Sequence, residues 1–151
     1  MNDESGFTLM ELMVVIAIVA IISALAVPSF LGWLPARRLE SAASDVNTAI
    51  RVAKLSAVKE NTSAILQFDV NDESYFITVA GRTVRRGKMP AGVDLQDVFL
   101  SNQTTPAPGG SIVFDSRGLS TPPVDIVLQN TSGTIRKIQV NLTGSSRIIK
   151  G

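Results

Sequence analysis

The chain of 151 residues contains no cysteine. It therefore has no disulfide, no thiolate metal site and no cysteine nucleophile, and packing alone must hold its fold. Histidine is absent too, which removes the commonest general base and the commonest metal ligand. Ser-His-Asp and Cys-His constellations are thereby excluded. No paired-carboxylate motif takes their place, so no enzyme, cofactor or metal is expected. Basic residues are missing from the whole N-terminal stretch: all 14 Lys and Arg lie beyond Pro28, beginning at Arg37 and Arg38. Internal repeats are absent.

What is present at the N-terminus is a long apolar run. Leu12 to Val27 holds 16 residues with one polar member, Ser23. A single carboxylate, Glu11, stands at its head. Phe7 to Val27 would form about 32 Å of helix, close to the ~30 Å hydrocarbon core of a bilayer. A carboxylate in such a segment costs roughly 2.5–3.5 kcal/mol on insertion scales, which makes Glu11 a functional-site hypothesis in need of a partner. Periodicity and composition leave two readings open. One is a retained membrane helix. The other is a cleaved secretory signal, for which Ala24-Leu25-Ala26 supplies a small-x-small cleavage site. Against the second, Met1 to Gly6 carries Asp3 and Glu4 and no basic n-region.

The pattern Gly6-Phe7-Thr8-Leu9-Met10-Glu11-Leu12, followed by an apolar helix and Pro28, resembles the class III signal of type IV pilins and type II secretion pseudopilins. The resemblance implies that a prepilin peptidase cuts between Gly6 and Phe7 and that Phe7 becomes an N-methylated terminus. It implies that the helix first anchors the chain in the bacterial inner membrane, single-pass with a periplasmic domain. The helix then packs with other pilin or pseudopilin subunits in a filament core. The amine freed at Phe7 lies four residues before Glu11, so the carboxylate of one subunit can meet the amine of a neighbour. The acidic leader departs from the basic leaders usual in that family. Taken alone, the positive-inside rule would place the N-terminus outside, opposite to the topology the motif implies. Removing Met1 to Gly6 would leave 14 basic against 11 acidic groups, or +3 before the termini are counted.

Pro28 is expected to end or kink the helix. Gly32 and Pro35 follow it, and the stretch between reads either as a flexible joint or as a kink in a continuous helix. Trp33 fits an interfacial aromatic just past the membrane segment. Ala36 to Lys59 then reads as an amphipathic helix, with Leu39, Ala42, Ala43, Val46, Ile50, Ala53 and Ala57 on one alanine-rich face that allows close approach to a sheet. Glu60-Asn61-Thr62 ends it.

Beyond Thr62 the period becomes two. Ala64, Leu66, Phe68 and Val70 alternate with Ile65, Gln67 and Asp69, Asn71-Asp72-Glu73 turns, and Tyr75, Ile77 and Val79 alternate with Phe76, Thr78 and Ala80, which predicts a β-hairpin. Gly81 to Lys88 is a turn or short strand, Val93 to Leu100 is ambiguous, and Ser101 to Gly110 is an exposed loop. Further strands are predicted at Ile112–Phe114, Val124–Leu128, Ile135–Leu142 and Arg147–Ile149. The fold class is α+β. It has a leader (residues 1–6), a transmembrane or filament-core helix (7–28), an amphipathic segment packing on the sheet (29–62) and an antiparallel β domain (63–151) of six or seven strands.

Ile-x-Phe-x-x-x-Gly at Ile112 to Gly118 and Gly-x-x-Arg at Gly144 to Arg147 resemble the GspH/FimT group of pseudopilins and minor pilins, over residues 63–151. That resemblance implies a pilin-like fold. In the FimT branch it also implies DNA capture during natural transformation, with Arg147 as the nearest match. Two basic sets are candidates for phosphate contact: Arg82, Arg85, Arg86 and Lys88, and Arg136, Lys137, Arg147 and Lys150. Both also fit solvated charges or bridges to neighbouring subunits. Asp69, Asp72 and Glu73 cluster in the first hairpin turn without the spacing of a calcium loop, which favours a solvated turn.

Overall fold

The computed structural model describes residues 8–101, 103 and 105–151, apart from the side chains of residues 27–31 and 108. Its first element is α1 (Leu9–Lys59), followed by β1 (Ala64–Asp69), β2 (Ser74–Val79), β3 (Arg82–Lys88) and β4 (Val93–Leu100). A short 3₁₀ turn (Pro108–Gly110) leads to β5 (Ser111–Phe114), β6 (Ser120–Thr121), β7 (Val124–Asn130), β8 (Ile135–Val140) and β9 (Ser146–Lys150). The chain divides into two compact units, Met1–Leu34 and Pro35–Gly151.

The first unit consists, where described, of the N-terminal part of α1. From Leu9 to Ala26 its mean hydropathy is 2.7 and none of it is buried against the protein. Pro28 does not end the helix: α1 runs through Pro28, Gly32 and Pro35, the continuous-helix alternative of the two readings. Each proline removes one backbone donor, while the remaining i→i−4 bonds of a long apolar segment persist.

The second unit buries the predicted alanine-rich face. Leu39, Ala42, Ala43, Val46, Ile50, Ala53 and Ala57 are all 1 % exposed or less, joined by Ala49. The helix closes with a Schellman motif. Asn61 is in the left-handed region (φ 47°), the Thr62 amide donates to Ala57 O (3.1 Å) and the Asn61 amide to Val58 O (3.3 Å). Asparagine tolerates that conformation, and the two bonds satisfy carbonyls the helix would otherwise leave open. The chain then reverses into β1.

Two antiparallel sheets follow, in the orders β3-β2-β1-β5-β6 and β4-β7-β8-β9. In the first hairpin Ala64, Leu66 and Phe68 face Val79, Ile77 and Tyr75, and all six are buried. The inner faces of both sheets join the helix stripe in one core, in which Phe114, Leu66, Ile77, Ile112, Ile126, Leu128 and Ile138 are the largest fully buried strand side chains. At about 1.5–3 kcal/mol for each fully buried aliphatic side chain, this core is what stands in for disulfides.

The structure corrects the strand reading at several points. The stretch taken as a turn or short strand is a full edge strand, β3, entered by a two-residue turn with positive φ at both Ala80 and Gly81. That is the I′ geometry favoured in hairpins, here without the usual Asn-Gly signature. The ambiguous segment is β4. Its alternation is obscured by a bulge between Leu95 and Asp97. The two-residue β6 carries no sequence signal at all. Nine strands form among the described residues, and they make two sheets.

Candidate functional site

Gly6 and Phe7 lie outside the described residues. Thr8 is the first residue described, and it caps α1. The Glu11 amide donates to Thr8 Oγ1 (3.2 Å) and the Leu12 amide to Thr8 O (3.2 Å). Thr-x-x-Glu is the spacing of a capping box. Glu11 thus occupies the first helical turn, where the partial positive charge of the helix terminus offsets some of the cost of a carboxylate in apolar surroundings. Behind it stand Leu12, Met13, Ile16, Ile18, Ile21, Ile22 and Leu25, each more than half exposed.

The two basic sets fall in different sheets, the first on edge strand β3 and the second on inner strand β8 and edge strand β9. On β3, Arg82 is taken by Glu60 (3.0 Å). Arg86 lies over the Phe76 ring at 6.0 Å. Together with Lys88, it borders a shallow depression of about 350 Å³ whose other lining residues are Ser74, Tyr75, Phe76 and Gly87. Gly87 is required there, because a Cβ would collide with the Tyr75 ring. Arg85 is half-buried opposite Ile77. These arginines do not form one continuous cationic face.

The second set divides as well. Lys137 Nζ pairs with Asp125 Oδ2 at 2.9 Å, and Asp125 is 1 % exposed. Asp125 Oδ1 also accepts from Ser101 Oγ (3.2 Å), which in turn accepts from Gln139 Nε2 (3.3 Å). Lys137 is therefore the counterion of a buried carboxylate and leaves the list of candidate ligand contacts. Sequence reasoning missed Asp125. It sits at an outward position between Val124 and Ile126, where a strand normally meets water, and nothing in the pattern announced that Ser101 and Lys137 would enclose it. Arg136 and Lys150 stand directly opposite each other across β8 and β9. Like charges so placed are destabilising. Arg147 is exposed at the start of β9 and borders a polar depression with Gln139, Asn141, Ser145 and Ser146.

The two short motifs meet in space. A Cβ on Gly144 would run into the carbonyl oxygen of Gly118, and both glycines have positive φ, 68° and 78°. Lys54 of α1 packs beside both and donates to Thr143 O at 2.9 Å. Asp115 organises the loop that carries Gly118. Its carboxylate accepts from the amides of Leu119 (2.8 Å) and Arg117 (2.9 Å) and pairs with the Arg117 guanidinium (3.1 Å). The Leu119 amide does most to hold Asp115 below the ordinary carboxylate value of 3.8; burial opposes it, and the Arg117 contacts add to the lowering. The motifs thus lock two loops to the helix.

The acidic hairpin turn is a local structure. Asp69 Oδ1 accepts from the amides of Asn71 (3.0 Å) and Asp72 (3.2 Å). Among the described residues no group of three acidic side chains is arranged to hold a metal ion.

The solved structures most informative for the architecture are pilin-like. The chain resembles the minor pseudopilin EpsH of the Type 2 Secretion System of Vibrio cholerae, with a TM-score of 0.61 at 13% identity over 76% of this chain and 96% of that one. It also resembles the type IV minor pilin FimU of Pseudomonas aeruginosa, with a TM-score of 0.57 at 16% identity over 75% of this chain and 89% of that one. At these identities the likeness carries the fold, an α+β pilin-like architecture.

The sequence comparisons go further. Residues 1–27 match the prokaryotic N-terminal methylation motif, and residues 42–144 match the family described as Type II transport protein GspH. The chain belongs to the GspH family, a family of structural pilins and pseudopilins. Fimbrial proteins of Pseudomonas aeruginosa are 30% identical over 97 residues, which is 64% of this chain and 62% of theirs, so the chain spans less than two thirds of their length. Fimbrial protein Q of Moraxella bovis is 28% identical over 129 residues, 78% of this chain and 82% of that protein.

Proposed function

We propose that the chain is a minor pilin or pseudopilin, a structural subunit without catalytic activity, of a type IV pilus or a type II secretion pseudopilus. Prepilin peptidase cuts between Gly6 and Phe7, and Phe7 is N-methylated. Residues 7–28 anchor the subunit in the inner membrane with the β domain in the periplasm, and later pack against other subunits in the filament. The observation that carries this reading is a carboxylate, Glu11, in the capped first turn of a helix that is apolar and unburied from Leu9 to Ala26. Such a surface demands lipid or neighbouring helices, and the carboxylate demands a cation within either. The amine of a neighbour's Phe7 supplies one. Glu11→Ala should leave cleavage intact while incorporation into filaments is lost. Normal incorporation of that variant overturns the assigned pairing, and a mature chain beginning elsewhere than Phe7, by mass spectrometry, overturns the processing.

A second reading, DNA capture, is favoured by one observation. Arg136 and Lys150 are held opposite each other at a cost, on the other face of β9 from exposed Arg147 and the polar depression it borders. Phosphate would relieve that repulsion. Binding of duplex DNA that weakens steeply with salt, and that falls on Arg147→Ala with Arg85→Ala, is expected. Absence of binding at low salt rejects it.

A further inference from the structure

One face of the second unit is apolar, exposed and ringed by positive charge. Leu55 is 67 % exposed and Val58 47 %. Their i, i+3 spacing puts them side by side on α1. Arg51 and Lys59 flank Leu55 at i−4 and i+4, and neither has an ion-pair partner among the described residues. Leu119, 39 % exposed, extends the patch, because Gly118 before it packs on Lys54 and Val58. The nearby carboxylates are already neutralised: Glu60 by Arg82, and Asp115 by Arg117.

The β1–β2 turn has the opposite character. Val70 is 40 % exposed at its tip, between Asp69 on one side and Asp72 and Glu73 on the other. None of the three carboxylates is in an ion pair among the described residues. The nearest cation along the sheet is Lys88, opposite Ser74. The two surfaces lie at opposite ends of β1. Ala64 begins the strand just after the helix end, and Asp69 closes it roughly 17 Å away at ~3.3 Å per residue.

We propose that the Leu55–Val58–Leu119 surface receives the acidic β1–β2 turn of a second copy of this chain. Val70 would enter the apolar centre while Asp72 and Glu73 face Arg51 and Lys59. Burial of the apolar centre supplies affinity, and the charges set the register. Neither surface is complementary to itself, so the contact is head-to-tail. Contacts of that kind propagate into open helical arrays when the rotation does not close. This inference rests on the filament reading and adds to it a contact made by the folded domain.

The absence of cysteine makes the test clean. Full-length chain carrying Val70→Cys is mixed in membranes with chain carrying Leu55→Cys, and a mild oxidant is added. A mixed disulfide is expected, and none with Ser132→Cys in place of Val70→Cys. Asp72→Lys should abolish the crosslink, and Lys59→Glu in the partner chain should restore it. Ile16→Cys in both chains reports helix packing separately. If Ile16 crosslinks form while Val70 and Leu55 stay unlinked, the docking surface is refuted and the filament reading stands. A Val70–Leu55 disulfide without any Ile16 crosslink upholds the docking surface and refutes the helix-packed filament. A crosslink unaffected by Asp72→Lys, or equally strong with Ser132→Cys, also refutes the docking surface. Failure of both pairs to crosslink refutes both.

Discussion

A single helix, α1, carries two apolar surfaces with different fates. Before residue 34 the surface is built of leucine, isoleucine, valine and methionine, and Leu9 to Ala26 buries none of it against the chain. After Pro35 the stripe is mostly alanine, and it is buried completely. The bulky surface is the one left open and the slight one is covered. Small side chains let a sheet come close enough to fill its gaps with strand residues such as Ile112 and Ile126. Large aliphatic side chains without a sheet opposite them must be covered by something outside the chain.

That contrast can be broken by substitution. Ile50→Ala, in the covered stripe, should cost about 3 kcal/mol in chemical denaturation of the second unit, by lost transfer energy and a residual cavity. Ile16→Ala should leave the same unfolding curve unmoved and act only on assembly. If both shift the curve alike, the two halves of α1 are not energetically distinct. The next largest effect is expected where the loops lock onto the covered half. Gly144→Ala adds both left-handed strain and a collision with the Gly118 carbonyl, for about 2 kcal/mol of stability. Gly118→Ala should cost less, because its new Cβ meets the flexible Lys54 and Val58 side chains. Equal losses would show that the Gly144–Gly118 contact is not what makes Gly144 necessary.

The smallest effect concerns pH. Asp115 titrates below its ordinary value in the folded chain, so its contribution to the loop is fully present above 3.8 and fades as pH falls through the lower folded value. Amide-exchange protection at Leu119 and Arg117 should therefore decline as pH falls below 3.8. Asp115→Asn should flatten that decline. Protection that persists unchanged into acid would assign the loop's order to the glycines alone.

Much of this was legible along the chain. The apolar run with its solitary Glu11, the alanine stripe, the helix end at Glu60-Asn61-Thr62 and the first hairpin are local patterns with fixed periods, and the structure reproduces them. β3 was obscured because an edge strand needs only one inner neighbour, and Arg82, Arg85, Arg86 and Lys88 leave it no apolar face to read. β4 was obscured because its bulge breaks the alternation. Pro28 left two readings open along the chain, an end or joint and a continuous helix, and the fold took the second.

The basic residues show the limit most clearly. Fourteen cations can be counted from the chain, but whether a given one is available to a ligand depends on where the acids fold. Lys137 is committed to a carboxylate 12 residues earlier and Arg82 to one 22 residues earlier. What the chain order determined alone is whatever repeats over a few residues: the membrane-length helix, the carboxylate at its head, the stripe and the regularly alternating strands. What tertiary structure decided is everything that depends on distant residues arriving together, namely the buried Asp125 network, the meeting of Gly118 with Gly144, and the opposition of Arg136 to Lys150. Periodicity is a property of neighbours, whereas neutralisation and close approach are properties of pairs that only the completed fold makes adjacent.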